Sequence, residues 1–498
     1  MKKVMMILMI PFLLITTPVF AQENGSLKEE IIYDILVDRF NNGDPTLSEQ
    51  VDIHDPYAYH GGDLQGITMK LDRIKQLGFT TITLSPIMEN APSGYHGYWV
   101  EDFYSIEEQF GTTADLNKLI EEAHGRGIKV ILELPINYVA STHPFVEDPS
   151  KEDWFKQTDF ETTESTTWLD HVAVLNQDHE EVGKYLIDVA EYWMSETEID
   201  GYKLHAADQS SPQFLEELTK KIKEIDPDFF ILANTLTDQN IDILRNIPHF
   251  DGIENQAMLK KMNEVFTLVD QPISILLDEL MESGEDRDIL FVDSRNTARF
   301  SNNFADEGRN ALTTWKLALT YMYTMPGIPM IYQGSELPMY GPGFPANQSL
   351  VLFNSTDPDL EEFFERISSL RSEFPVMHYG DLELVGTNEG LSVYKRTYEN
   401  ETMYIAINND SVSRAISVDD IDSDLQLRGL LGDNTVRENN NGEFKIGIER
   451  ESTEVYIIEE NTVFNFWFIG PVVGIFIIFV VMVIYLSRKQ KLREQQEK

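Results

Sequence analysis

The sequence predicts an α/β fold, a (β/α)8 TIM barrel, with a small inserted subdomain after strand 3, a carboxyl-terminal antiparallel β domain and one apolar helix at the end. Three observations lead there. Eight short β-rich runs alternate with helical stretches such as "ADLNKLIEEAHGRG". The runs are apolar on both faces, as parallel strands covered on each side are, and a closed barrel arranges eight of them economically, with a doubly wound open sheet as the alternative. Past residue 374 the pattern changes to alternating strands with turn signals.

In chain order, Lys2 and Lys3 precede the apolar run "VMMILMIPFLLI", and Val19 and Ala21 stand before Gln22. That is the layout of a secretory signal over residues 1–21, cut after Ala21. The eight strands follow as "IIYDILV" (31–37), "TTITLSP" (80–86), "KVILELPIN" (129–137), "GYKLH" (201–205), "FFILANT" (229–235), "FDGIEN" (250–255), "ILFVDS" (289–294) and "IPMIYQG" (328–334). They divide the barrel into residues 28–137 and 179–374. The third connection, residues 138–178, is rich in Thr, Asp and Trp and too long for a simple crossover, so it reads as an inserted subdomain. Residues 375–460 contain "LELVGTNEGLSVYKRTYENETMYIAINN" and "STEVYIIEE", a β-sandwich pattern.

Residues 463–486, "VFNFWFIGPVVGIFIIFVVMVIYL", carry no charge and are long enough for a helix to cross a bilayer. The tail that follows, 487–498, holds Arg488, Lys489, Lys491 and Arg493, which suits the cytoplasmic side. The expectation is a single-pass membrane protein with its ectodomain outside the cell and a short basic tail inside. A formal charge of −45 repels phosphate backbones and excludes nucleic acid as a partner. With no cysteine, the chain has neither disulfides nor thiolate metal sites to adapt to an oxidising compartment.

Read at the strand ends, where a barrel carries its chemistry, residues 31–459 resemble glycoside hydrolase family 13, the α-amylase family. "DRFNNGD" with "YHGGDLQGI" is similar to the family's first strand and loop, "GYHGYWVEDFYSIEEQFGTTADLNKLIEEAHGRGIKVILELPIN" to its second and third units, and "GIPMIYQGSE" to its eighth strand. The resemblance implies α-glucosidic bond cleavage by two carboxyl groups, a nucleophile and a general acid/base, with a third carboxylate assisting. All three positions are replaced here. His205 stands for the nucleophile and Lys203 for the preceding arginine; Asn234 stands for the general acid; Ser294, Arg295 and Asn296 stand where the family has Asn-His-Asp. At the third strand Glu133 replaces an aspartate and Tyr138 a histidine, while Asn137 is kept.

The remaining acids near these tips are Asp208, Asp238, Glu254 and Asp293, and Lys203 with Arg295 are expected to surround His205 with positive charge. What the resemblance implies for sugar binding falls on His96, Tyr98, Lys203 and Arg295, with Trp99 beside them. It also implies a Ca2+ site of the family's secreted members at Asn42, Asp44, Gly61 and Asp63, where oxygen donors gather; an Asx-rich turn is the alternative. A second family metal site beside Asn137 is broken by Val174. The expected function is a catalytically inactive, membrane-anchored ectodomain that binds an α-glucan, an oligosaccharide or an envelope protein partner. The alternative is an active cell-surface α-glucan hydrolase or transglycosylase with an altered catalytic set.

Overall fold

A computed structural model describes residues 25–47, 50–157, 164–283, 286–461 and 466–496. The expected export signal lies outside the described residues. Eight parallel strands close into a barrel: β1 (Ile32–Ile35), β2 (Thr81–Leu84), β3 (Lys129–Leu134), β4 (Gly201–Leu204), β5 (Phe230–Ala233), β6 (Gly252–Glu254), β7 (Asp288–Leu290) and β8 (Ile328–Tyr332). Each pairs with its chain neighbours, and β1 closes the ring on β8 through Ile32↔Met330 and Asp34↔Tyr332. Closure removes the sheet edges an open sheet would leave. Strand β7 ends at Leu290, earlier than its sequence predicts, because residues 294–297 fold into a turn in which Thr297 Oγ1 accepts the Ser294 amide. Arg295 therefore leaves the strand and reaches across the barrel mouth.

The covering helices are amphipathic and capped. Pro212–Ile225 begins at Ser211, whose side chain accepts the Phe214 amide, and buries Phe214, Leu215, Leu218 and Ile222 on one face. Thr113–His124 starts with a reciprocal Thr112/Asp115 capping box. Inside the barrel, Ile32, Ile131, Phe230, Leu232, Ile289, Ile328 and Met330 pack into one layer toward the amino-terminal end, which Leu27 seals. Each fully buried side chain of this size contributes about 1.5–3 kcal/mol.

The insertion carries a three-stranded antiparallel sheet, Tyr138–Ala140, Val172–Leu175 and Phe155–Lys156. After the barrel, a six-stranded antiparallel sheet and the pair Arg414–Val418 and Phe444–Ile448 enclose a second core that includes Val393, Tyr404, Phe444 and Tyr456. This domain is fastened to the barrel by Asn409, whose Nδ2 donates to the carbonyls of Val265, Leu268 and Gln271.

The last element is a helix, Phe466–Gln496, with Pro471 inside it. Its large apolar side chains described between positions 473 and 486 are exposed, Ile475 at 69%. Among the described residues no helix is long and apolar enough to cross a membrane, and the expected span of residues 463–486 begins outside them.

Candidate active site at the carboxyl ends of the strands

Strand alternation decides which groups face the barrel axis. On β4, Gly201 sits where a Cβ would lie 2.6 Å from the Phe230 carbonyl, so only glycine lets β4 and β5 approach there. Tyr202 turns outward and donates to the Ala190 carbonyl, while Lys203 and His205 turn inward. The chain leaves the strand through Ala206 in a left-handed conformation (φ 48°), which for a non-glycine residue costs on the order of 1 kcal/mol.

Lys203 is fully buried. Its Nζ pairs with Asp34 of β1, lies 3.3 Å from Glu133 Oε2 of β3 and 3.9 Å from Glu254 Oε1 of β6. Arg295 adds a bidentate pair to Asp34, both contacts at 2.8 Å, and donates to Glu133 Oε2 at 3.0 Å. Glu133 Oε1 accepts from Tyr98 Oη at 3.1 Å and lies 2.9 Å from His205 Nδ1, so that ring nitrogen carries its proton. Two cations thus face two carboxylates at the strand tips. Burial alone would raise Asp34 and Glu133, but Arg295 and Lys203 outweigh it and hold both carboxyls below their ordinary range. Burial would likewise lower Lys203, and Asp34 and Glu133 hold it above its usual value.

The environment of His205 corrects the sequence reading. Positive charge was expected around the imidazole; its direct partner is a carboxylate, and the two cations are neutralised by Asp34 and Glu133. Asn234 bridges rather than protonates: its Oδ1 accepts the Ala206 amide and its Nδ2 donates to Glu254 Oε2 at 2.7 Å. Burial pushes the Glu254 carboxyl up, Lys203 opposes, Asp34 and Glu133 add to the rise, and the result is about 7. Asn296 lies in the turn after β7, its amide bonded to Ser294 Oγ.

The other acids are occupied elsewhere. Asp208 accepts the amides of Leu236 and Thr237, Asp293 accepts from Phe300 N and Ser335 Oγ, and Asp238 pairs with Lys260.

Above the ion network lies a stack of rings. Tyr98 covers His205 with centroids 4.2 Å apart, His96 lies against Tyr98 at 5.3 Å, and Trp168 of the inserted subdomain packs on Tyr98 at 4.5 Å and His205 at 5.4 Å. His205 is 0% exposed and Trp168 4%, so a pyranose ring reaches these atoms only by displacing the stack. Burial, with Arg39 adding, drives the His96 imidazole down to about 3, leaving it neutral. Open clefts lie elsewhere: one of about 750 Å³ at the amino-terminal end beside Lys129 and Asp200, and one of about 760 Å³ between Glu180–Glu196 and Pro212–Ile225.

The calcium donors are brought onto one loop but are already committed. Asp63 Oδ2 accepts the amides of Gly43 and Asp44, its Oδ1 caps Gly66, and Asp44 Oδ1 accepts from Thr46. This is the Asx-turn arrangement, with Gly61 in a left-handed conformation (φ 87°) and Asn42 on the same loop. Among the described residues no group of three or more His, Cys, Asp or Glu gathers as a metal site, and of the four expected donors two, Asp44 and Asp63, are carboxylates. Beside Asn137, Oδ1 accepts from Gln177 and Ser210, and Nδ2 donates to the carbonyls of His205 and Ala206.

Strand-end placement missed Asp34 and Trp168. Asp34 had a signal, a lone acid in the apolar run "IIYDILV" that must face somewhere inside; Trp168 lies in an aperiodic insertion with none.

A closed parallel barrel with polar groups from several strands converging at its carboxyl face is the layout of a TIM-barrel protein with its site at the strand tips. Residues 34–368 match the alpha amylase catalytic domain and residues 380–456 the alpha-amylase C-terminal domain; the chain belongs to the α-amylase family. The crystal structure of an Anoxybacillus alpha-amylase is 38% identical with a TM-score of 0.84, covering 88% of this chain and 100% of that one. An alpha-amylase from Geobacillus thermoleovorans, solved with acarbose, is 37% identical with a TM-score of 0.81 and the same coverage. A cyclomaltodextrinase from a Bacillus species is 29% identical over 423 residues, 78% of this chain and 74% of its own length.

Proposed function

We propose that this chain is a noncatalytic member of the α-amylase family, anchored in the cell membrane with its barrel outside, and that it holds an α-glucan or an envelope partner instead of cleaving a glycosidic bond. The observation that carries the reading is the closed ion network Asp34–Lys203–Glu133–Arg295 with His205 bonded into it. Retaining cleavage needs one carboxylate free to attack the anomeric carbon and one carboxylic acid able to protonate the leaving oxygen. Asp34 and Glu133 are each tied to two cations, and the general-acid position is an amide. The anchor is supported by the uncharged run of residues 463–486, the basic tail after it and the exposed apolar side chains of the terminal helix.

The test is sugar release from maltoheptaose and cyclomaltodextrins by the full-length protein in a maltoside-free detergent. The wild type releases nothing above the blank, as does His205→Ala. One observation favours a second reading, an active hydrolase or transglycosylase with altered groups: Glu254, with its carboxyl near 7, is half-protonated at neutrality beside Asn234. Sugar release by the wild type that Glu254→Gln abolishes would establish that reading and end the first.

A further inference from the structure

The chain leaves the carboxyl-terminal β domain at one definite end. Its last strand, Ser452–Glu460, runs antiparallel to Glu401–Asn408 with Met403 opposite Ile457, and Glu401–Asn408 pairs with Leu391–Tyr398 through Tyr398↔Glu401. Tyr398, Glu401 and Glu460 therefore share one end of the sheet, with Asp381 beside them through its pairing with Thr397. That end lies on the amino-terminal side of the barrel. Arg396 donates to the carbonyls of Gly380 and Thr324, Arg371 to those of Lys28 and of Gly327 just ahead of β8, and Tyr379 Oη to Glu29. Leu27, in the same turn as Lys28 and Glu29, packs under the strand starts. The site described above occupies the opposite ends of the same strands. At the exit end the rings of Tyr379 and Tyr398 lie 5.7 Å apart and are 39% and 36% exposed.

From Asn461, whose amide closes on the Asp424 carbonyl, to Phe466, where the terminal helix begins, the chain can extend at most about 18 Å. A folded region of about 430 residues has a radius of gyration of about 22 Å. The tether is thus shorter than the body it holds, and it fixes which end lies near the helix. We propose that the amino-terminal end of the barrel faces the bilayer, with Tyr379 and Tyr398 resting in the headgroup layer, and that the strand-tip site points away from the membrane. This rests on the anchored reading above. Tyrosine suits such a layer, its ring against the apolar side and its hydroxyl toward water. Asp381 and Glu399, exposed beside the pair, oppose adhesion to anionic lipid, so the matching surface is a zwitterionic one. The mouth is then open to solutes and partners from the outer side and closed to lipid.

The chain contains no cysteine, so a single introduced thiol reports its own position. Full-length Asn400→Cys and Tyr340→Cys, each carrying a thiol-linked fluorophore, are placed in phosphatidylcholine vesicles that contain a lipid with a nitroxide on its headgroup, and the vesicles are floated. Tyr340 is 59% exposed on the loop after β8, at the mouth. The expected result is quenching at position 400 at least about threefold that at position 340. Adding Tyr379→Ala with Tyr398→Ala lowers the quenching at position 400 while the floated fraction and the melting profile stay the same, and Tyr379→Trp with Tyr398→Trp preserves it. Equal quenching at the two positions, stronger quenching at 340, or no loss in the alanine pair would overturn the proposed orientation. Protein missing from the floated vesicles ends the anchored reading and the orientation with it, whereas floated protein with equal quenching ends the orientation alone.

Discussion

Lys203 has three carboxylates within 4 Å of one ammonium, and Arg295 shares two of them. Such a cluster is stable only as a whole, because removing one partner strands a charge in a dry site. Lys203→Met, close in shape and uncharged, is expected to lower unfolding free energy by about 3–5 kcal/mol, read from urea denaturation at pH 7. Glu254 makes a prediction of opposite character. Its folded value near 7 lies above the ordinary carboxyl value, so the folded protein binds the extra proton and this group's contribution to stability falls as pH rises toward 7 and then levels off. The full cost above pH 7 is on the order of 3 kcal/mol. Glu254→Gln removes that slope, so its melting temperature relative to the wild type should be higher at pH 8 than at pH 5. Asp34 and Glu133 act in the other sense, since their held-down carboxyls lend stability that disappears only in strong acid.

Among the elements, the inserted subdomain closes the barrel mouth through Trp168, packed with Leu169, Tyr98, Tyr138 and Ala206. Trp168→Ala is expected to cost about 3–5 kcal/mol and to expose the imidazole below it. Diethylpyrocarbonate labelling followed by peptide mass spectrometry should find His205 unreactive in the wild type and modified in the variant. The strands themselves were legible because buried parallel strands write themselves as short apolar runs; seven of the eight lie inside the stretches that periodicity picks out, and β7 starts one residue ahead of its own. What periodicity cannot supply is register between strands distant in sequence. Lys203 and Arg295 were visible as cations near His205, but the pairing of Lys203 with Asp34, 169 positions away, exists only once β1 and β4 share a barrel. The polar residues at the strand tips could be read because each stands at a fixed offset from a strand end. The lid could not, because Trp168 comes from a segment with no repeating pattern.

At the scale of the whole molecule, an acidic folded region, an apolar terminal stretch and a basic tail differ in solvent preference along one chain. The prediction is that the full-length protein stays with the membrane pellet through alkaline carbonate extraction, whereas a chain truncated after Glu460 is recovered in the soluble fraction. Recovery of the full chain in that fraction would remove the anchor while leaving the barrel's chemistry as described. Asn409 and its three carbonyl partners bind the β domain to the barrel side, so the truncated form should melt as cooperatively as the intact one.

The self-neutralising charge set inside the mouth also acts as a ratchet. An aspartate placed at position 205 would put a second anion against Glu133, and a glutamate at 234 would set one against Glu254. If the noncatalytic reading holds, each such replacement is uphill unless Asp34, Glu133 and Lys203 change with it, so a free pair of carboxyl groups takes several simultaneous replacements and not any single one.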